Sequence, residues 1–261
     1  MSRKWDRIVT WTMLAIFLAV AIPWFVHWYD TRPAWWDPVL RYMIHTGLKE
    51  TVRMAVLSVL GAAVIGLALG TLITIHFRPL QWLIRGYIEI WRGLPIVVTI
   101  FLIYFALPRL DETIPQIPFS INPFEAFVAA TIGLILWGSA QVAEATRGAI
   151  QSIPREQHEA AAAVGFGWIG THAFVVVPQA TRRLLPPLIG ILVNIVQNTT
   201  IAGLIGVGDL LETGTRSTER LQYSTADAHY LQIYLAVFIA FFALSYPLTR
   251  LSRFLEKRLA A

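Results

Sequence analysis

Six long stretches without a charged side chain dominate this sequence and indicate that the chain folds in a lipid bilayer. They cover residues 8–29, 54–77, 93–108, 126–143, 184–208 and 228–249. A helix needs about 20 residues, with a range of roughly 17 to 25, to cross the hydrocarbon core of a bilayer. Five stretches reach that length. The third is slightly short, so we expect its helix to recruit preceding residues or to be broken at its start.

The stretches lack two-residue alternation, which favours helices over barrel strands. Charged residues make up only 14% of the chain, against about a quarter in a soluble domain. The sequence therefore predicts an all-α fold, a polytopic transmembrane helical bundle of about six spans. Gly61, Gly66 and Gly70 share one helical surface. They permit close helix packing, although ordinary glycine in a membrane helix is an equally open interpretation.

We expect one membrane domain over residues 1–261, with a peripheral first span at 8–29 and a core at 46–250. The first span follows a short basic start that a signal peptide would share, but no small-residue cleavage pattern follows it. Lysine and arginine are about twice as frequent in the segments on the N-terminal side of the membrane. This bias predicts a multi-pass protein of the cytoplasmic (inner) membrane with both termini in the cytoplasm.

Several function classes find little support in the residues. The chain has no cysteine, which excludes disulfides and thiolate metal sites. Its six histidines are scattered, and no G-x-S-x-G motif is present, so an intramembrane enzyme is disfavoured. Basic residues form no tract that would bind nucleic acid. A channel or secondary transporter stays open as the alternative, although no internal repeat supports it.

The largest segment between apolar stretches, residues 148–180, has the pattern of a compact helical knob. Pro154 suits the first turn of a helix, and residues 155–164 are strong helix formers. Gly165 and Gly167 would end that helix, and a second short helix could follow until Pro178. Such a knob is suited to docking on a soluble partner, while a plain connecting loop is the alternative.

Three ordered blocks of residues carry a family resemblance. The central block holds Glu159, Ala160, Ala161 and Gly165. Around it lie Ala143, Glu144, Arg147, Gly148, Ile150, Ile153, Pro154 and Gln157, followed by Pro178, Gln179, Ala180, Pro186 and Pro187. Upstream, residues 87–95 read YIEIWRGLP. Together these blocks resemble the permease subunits of ATP-binding-cassette (ABC) importers, in the polar amino-acid transport family of histidine, glutamine and glutamate permeases.

The chain departs from the family pattern at several positions. Glu156 replaces a usual glycine, Gly190 an asparagine and Leu94 a threonine. Residues 197–200 read QNTT where lysine-aspartate-threonine-serine is common. The resemblance consequently leaves open which polar amino acid is carried.

The resemblance implies a mechanism and a set of partners. The chain would be a transport subunit and not itself an enzyme, with alternating access driven by a separate cassette ATPase dimer. ATP and Mg²⁺ would bind that ATPase, because this chain lacks the G-x-x-x-x-G-K-[ST] loop, and no cofactor would bind here. A second permease subunit, identical or paralogous, and an extracytoplasmic substrate-binding protein would complete the importer.

The resemblance also implies roles for the knob residues. Glu159, Ala160, Ala161 and Gly165 would form the ATPase-coupling loop. Glu159 is expected early in the helix, where the helix dipole favours a carboxylate. It would either cap the helix locally or pair with an ATPase side chain. The two alanines would permit close approach, and Gly165 would set the turn.

Polar and helix-breaking residues in the spans are candidates for the gate or pathway. They are Arg92, Gly93, Pro95, Gln141, Glu144, Asn194, Gln197, Asn198 and Thr199. Polar groups within a bilayer should face a cavity or a neighbouring helix. Glu144 and Arg147 can pair on one helix face, and we favour a structural pair over a substrate contact. For Arg92 we favour a side chain that reaches the phosphate layer over a gate residue. For the 197–200 cluster we favour hydrogen bonds between helices over the lining of a pathway.

Overall fold

The computed structural model describes residues 32–75, 77–113 and 126–259, together with Thr12, Ala19 and Pro23. Within these ranges the chain forms helices and no strand. In chain order the α-helices are α1 Trp36–Tyr42, α2 Lys49–Leu72, α3 Arg78–Gly93, α4 Ile96–Thr113, α5 Ala126–Gln151, α6 Arg155–Ala163, α7 Trp168–Thr171, α8 Val177–Asn198, α9 Leu210–Thr225 and α10 Tyr230–Leu259. Two π-helical segments, Met43–Leu48 and His172–Val176, and one 3₁₀ segment, Thr199–Ile205, connect them.

The chain divides into two compact units, residues 1–42 and 43–261. In the second unit α5 is central and packs against α2, α3, α4 and α8. Helix α10 packs on α8 and α9, and α9 packs on the π-helical segment Met43–Leu48. The core positions α5 and α8, the two helices that carry five of the nine predicted gate or pathway residues.

Four helical stretches are long and apolar enough to cross a membrane: Trp36–Leu72, Ala126–Gln151, Ile169–Ile205 and Tyr230–Glu256. Helix α3 and the stretch Ile96–Ala106 make a fifth candidate, as a pair bent by 108°. The predicted all-α polytopic fold is confirmed for the described part of the chain. Apart from Thr12, Ala19 and Pro23, the predicted first span, 8–29, lies outside the described residues.

The break predicted before the third apolar stretch is confirmed. Helix α3 ends at Gly93, and Leu94 adopts an extended conformation with φ −83° and ψ 135°. The ring of Pro95 disfavours helical geometry at the residue before it, so the chain turns there and α4 starts at Ile96. The third span is therefore preceded by a separate helix in a different direction.

A second short helix, α7, follows the glycine turn as predicted, but its predicted end at Pro178 is wrong. The π-helical segment His172–Val176 continues directly into α8, and Pro178 lies in the first turn of that helix. Helix α8 also contains Pro186 and Pro187.

The glycines of α2 lie where its backbone approaches α5 most closely. A Cβ atom added at Gly66 would lie 2.5 Å from Cβ of Val142 and 2.7 Å from the carbonyl oxygen of Ser139. A Cβ at Gly70 would lie 2.5 Å from the carbonyl oxygen of Ala143. Such distances leave no room for a side chain. The close-packing interpretation of the α2 glycines is therefore confirmed over the ordinary-glycine alternative.

Helix α9 was not predicted, and it begins at a buried carboxyl group. Asp209 is fully buried, and its Oδ1 accepts a hydrogen bond from the amide of Glu212 at 2.8 Å, which caps the helix. Its Oδ2 has no hydrogen-bond partner among the described residues. The next amide, that of Leu210, donates to Oγ1 of Thr51 at 2.9 Å and ties α9 to α2. Burial raises the pKa of the Asp209 carboxyl to about 6.

We predict that Gly66→Ala destabilises the protein. The added methyl group meets Cβ of Val142 and a backbone oxygen, neither of which is the end of a flexible side chain. Overpacking of this kind costs about 1–3 kcal/mol. Thermal unfolding in detergent measures the effect. The matched control is Gly86→Ala in α3, where no atom lies within 4 Å. Equal melting temperatures for the two variants would contradict the close contact.

We also predict that Asp209 makes stability depend on pH. The folded carboxyl, with its pKa near 6, binds a proton more tightly than the unfolded one, whose pKa is 3.8. The free energy of unfolding should then fall as pH rises from about 4 to about 6, by about 2 kcal/mol from this group. Asp209→Asn keeps a capping oxygen and cannot ionise, so it should remove this component. Melting curves at several pH values test it, and an unchanged slope in the variant would refute it.

Candidate functional site

In the knob between α5 and α8, the predicted start of the first helix after Pro154 and the predicted glycine turn after it are both present. Pro154 precedes α6 in an extended conformation, with ψ 147°. The helix ends at Ala163, two residues before Gly165, which has φ +90°. The amide of Phe166 donates to the carbonyl of Ala161 at 3.0 Å across this turn. Glycine suits the position because the left-handed conformation strains residues with a Cβ.

The coupling-loop candidates do not all face the same way. Glu159 and Ala160 are exposed on α6, whereas Ala161 is buried, with 4% of its surface accessible. The expectation that Glu159 lies early in the helix needs correction, because the acidic residue of the first turn is Glu156. The helix dipole therefore acts on Glu156 more strongly than on Glu159.

Side-chain contacts fix α6 against the start of α8. Nε2 of Gln179 donates to Oε1 of Gln157 at 3.2 Å. The Arg183 guanidinium donates to Oγ of Ser152 at 3.0 Å and to the same residue's carbonyl oxygen. The rings of His158 and His172 meet edge to face, with centroids 6.0 Å apart. The start of α6 and the residues just before it are thus joined to the first turns of α8, and His158 joins α6 to the π-helical segment that precedes α8.

An exposed apolar surface covers the tip of the knob, and the sequence analysis missed it. Val164, Ile169 and Phe174 are each more than 70% exposed, and Phe166 stacks on Phe174 at 5.9 Å. A signal was present, since five large apolar residues, Trp168 among them, fall between residues 164 and 174, outside the six charge-free stretches. Val164 and Phe166 lie outside the candidate spans, whereas Ile169 and Phe174 lie in the first turns of the span Ile169–Ile205. An exposed apolar cluster at such a point is typical of a surface that binds a protein or the membrane.

The charged residues near the ends of α3 and α5 form one cluster. Nε of Arg147 donates to Oε2 of Glu144 at 2.9 Å, and its Nη2 bonds the other carboxylate oxygen. Nη1 of Arg92 lies 3.6 Å from Oε1 of Glu144. The predicted pairing of Glu144 with Arg147 is present, and Arg92 lies beside it. Gly93 and Pro95 are exposed at the adjoining bend.

The polar candidates of α8 divide between two faces. Asn194 and Gln197 are exposed and Asn198 is half-buried. Thr199 is fully buried, and its hydroxyl donates to the carbonyl of Val196 at 2.8 Å. Thr199 thus belongs to the packed side of the 3₁₀ segment, whereas the amides of Asn194 and Gln197 are uncovered within a candidate span.

A cavity of about 290 Å³ opens between α8 and α10 beside this polar face. It is lined by Gln197, Thr200, Phe238, Phe241, Phe242 and Ser245. Oγ of Ser245 is buried without a hydrogen-bond partner in the described part of the chain. Gln141 is half-buried on α5 and is not one of the lining residues. Its neighbour Ser139 bonds the Tyr87 hydroxyl at 2.6 Å, a helix–helix contact.

Comparison with known proteins identifies the kind of protein that carries these features. Residues 62–261 match the family described as "Binding-protein-dependent transport system inner membrane component". The "Probable glutamine ABC transporter permease protein GlnM" of Bacillus subtilis (strain 168) is 31% identical over 217 residues, covering 83% of this chain and 93% of the relative. The "Glutamine transport system permease protein GlnP" of Escherichia coli (strain K12) is 32% identical over 231 residues, covering 88% and 98%.

Solved structures agree with the sequence relatives. The crystal structure of an amino acid ABC transporter with histidines has a TM-score of 0.67 and 27% identity, covering 85% of this chain and 95% of its own. An inward-facing structure of the MetNI methionine ABC transporter, at 19% identity and a TM-score of 0.63, shares the fold. The family model spans most of the chain, and the resemblance to ABC importer permeases is confirmed. The chain belongs to the family of binding-protein-dependent transport system inner membrane components.

Proposed function

We propose that this permease carries polar amino acids across the cytoplasmic membrane, by alternating access driven by ATP hydrolysis on a separate subunit. The observation that carries the proposal is the uncovered amide pair of Asn194 and Gln197 within the span Ile169–Ile205. Amide groups facing lipid would lose their hydrogen bonds. They therefore need water, a polar substrate or a second permease subunit in front of them.

The cavity beside Gln197 has the chemistry that a polar amino acid requires. It combines an amide and two hydroxyl groups with three phenylalanine rings. The buried Oγ of Ser245 would gain a hydrogen bond when a polar ligand enters. The names of the glutamine permeases of Bacillus subtilis and Escherichia coli support the same substrate class. We place Gln141, Asn198 and Thr199 behind this surface, as supporting residues of the pathway.

We propose that the knob docks on the cassette ATPase, which binds ATP and Mg²⁺. Glu159 and Ala160 on α6 and the apolar tip formed by Val164, Ile169 and Phe174 would enter the cleft of that partner. Gln157 of α6 contacts Gln179 of α8, and Arg183 of α8 contacts Ser152, just before α6, so the start of the knob is tied to α8. A displacement of the knob would then reach the helix that carries the polar face.

The remaining parts of the importer follow the same proposal. Residues 46–250 would form the core translocation unit, residues 8–29 a peripheral span, and both termini would lie in the cytoplasm. Arg92, Gly93 and Pro95, with Glu144, would form the gate region on the knob side. A second permease subunit and an extracytoplasmic binding protein would complete the pathway. A secondary transporter, the alternative, would leave the exposed apolar tip without a role.

We predict that Gln197→Leu lowers ATP-dependent uptake of a labelled polar amino-acid pool by about tenfold or more, as expected when a ligand loses one hydrogen bond to a buried site. Uptake is measured in proteoliposomes with the ATPase and the binding protein. The control is Gln222→Leu, an exposed position on α9 that does not line the cavity. Equal uptake in both variants would remove Gln197 from the pathway, and uptake without ATP would overturn the importer mechanism.

A second prediction concerns the knob. Ile169→Asp introduces a charge into the apolar tip and should abolish co-purification of the ATPase, because a carboxylate would be desolvated in the contact. Tyr223→Asp is the control, since Tyr223 is 93% exposed on α9, which follows the other end of α8. ATPase retention in Ile169→Asp at the level of Tyr223→Asp would exclude the tip from the docking surface.

A further inference from the structure

Helix α3 differs from the spanning helices in both direction and surface. It meets the following span at a bend of 108°, so it lies close to the membrane plane when that span crosses the bilayer. One side buries Ile84 and Ile88 against Ile73 and Ala143. Another exposes Trp82, at 78%, and Leu83, at 74%. This is the pattern of an amphipathic helix at the boundary between headgroups and acyl chains.

A charged cavity of about 230 Å³ lies between α3 and the end of α5 on the knob side. Its polar lining consists of Arg85, Glu89, Arg92, Glu144 and Arg147. A smaller cavity of about 90 Å³ shares Arg85 and is otherwise lined by Gln81 and Trp82. Arg85 therefore lines both cavities, which places a guanidinium beside the exposed tryptophan.

The carboxylates in the larger cavity do not neutralise all of its guanidinium groups. Arg147 donates hydrogen bonds to both carboxylate oxygens of Glu144, and Nη1 of Arg92 lies 3.6 Å from Oε1 of Glu144. The side chains of Arg85 and Glu89 make no hydrogen bond or ion pair within the described ranges. Three guanidinium groups against two carboxylates leave one positive charge and several N–H donors facing the cavity.

We propose that Arg85 and Arg92 bind the phosphate of an anionic phospholipid in the leaflet on the knob side. Guanidinium groups match phosphate oxygens in bidentate geometry. Trp82 would lie at the headgroup level, as tryptophan prefers, and Leu83 would contact the acyl chains. A lipid is favoured over a soluble partner because the exposed apolar side of α3 adjoins the cavity, so the phosphate and the chains can be bound together.

Lipid retention by the purified permease–ATPase complex tests the proposal. The complex is incubated with equal amounts of dioleoyl phosphatidylglycerol and dioleoyl phosphatidylcholine, and the bound lipids are counted by native mass spectrometry. We expect the wild type to retain phosphatidylglycerol preferentially. Arg85→Gln should lower that preference about tenfold, the value of one charge-assisted hydrogen bond, and Arg85→Lys should keep part of it. The control, Arg78→Gln, removes the same charge from the same helix outside both cavities.

Several results would overturn the proposal. One is an unchanged lipid preference in Arg85→Gln when the complex remains monodisperse with wild-type melting. Another is an equal loss in Arg78→Gln, which would indicate general attraction by the helix charge. Displacement of the lipid by excess inorganic phosphate would identify a site for free phosphate. Loss of the ATPase from Arg85→Gln with lipid retention intact would show that the cavity receives a protein carboxylate.

Discussion

The close approach of α2 and α5 is the contact on which the rest of the bundle depends. Within a bilayer no hydrophobic force drives helices together, so packing at short range must do so. Gly66 and Gly70 allow backbone atoms of α5 to lie where side chains would otherwise stand. With α5 fixed in this way, its other faces receive α3, α4 and α8. The position of α5 therefore sets the positions of the charged cluster at Glu144 and of the polar face of α8.

Polar groups in the core fall into two classes with different physical roles. Ser139 and Thr199 are buried and bonded, the first to Tyr87 and the second to a carbonyl of its own turn. Such groups hold helices or turns and are satisfied within the chain. Asn194 and Gln197 are uncovered at the depth of a span. Since lipid cannot form hydrogen bonds with these two amides, we infer that water, substrate or another subunit lies in front of them.

The spans, the break at Pro95 and the turn at Gly165 could be predicted because each depends on a local property: hydropathy, a proline ring or a left-handed glycine. Helix α9 could not, because its apolar residues are mixed with charges and its start relies on Thr51, distant in sequence. The inward direction of Ala161 depends on the π-helical segment beside it. Arg85, Arg92 and Glu144 line one cavity because of the 108° bend between α3 and α4. No local sequence pattern sets the angle of that bend.

The two prolines within α8 have a consequence for how the span deforms. Pro186 and Pro187 lack amide hydrogens, so the carbonyls one turn earlier lose their usual helical donors. They lie between the contacts of Gln179 and Arg183 with the knob and the amides of Asn194 and Gln197. The span is therefore most compliant midway between its anchored end and its polar face. The part of α8 before the prolines can tilt with the knob while the part after them stays in place. The two ends of the pathway therefore need not open and close together.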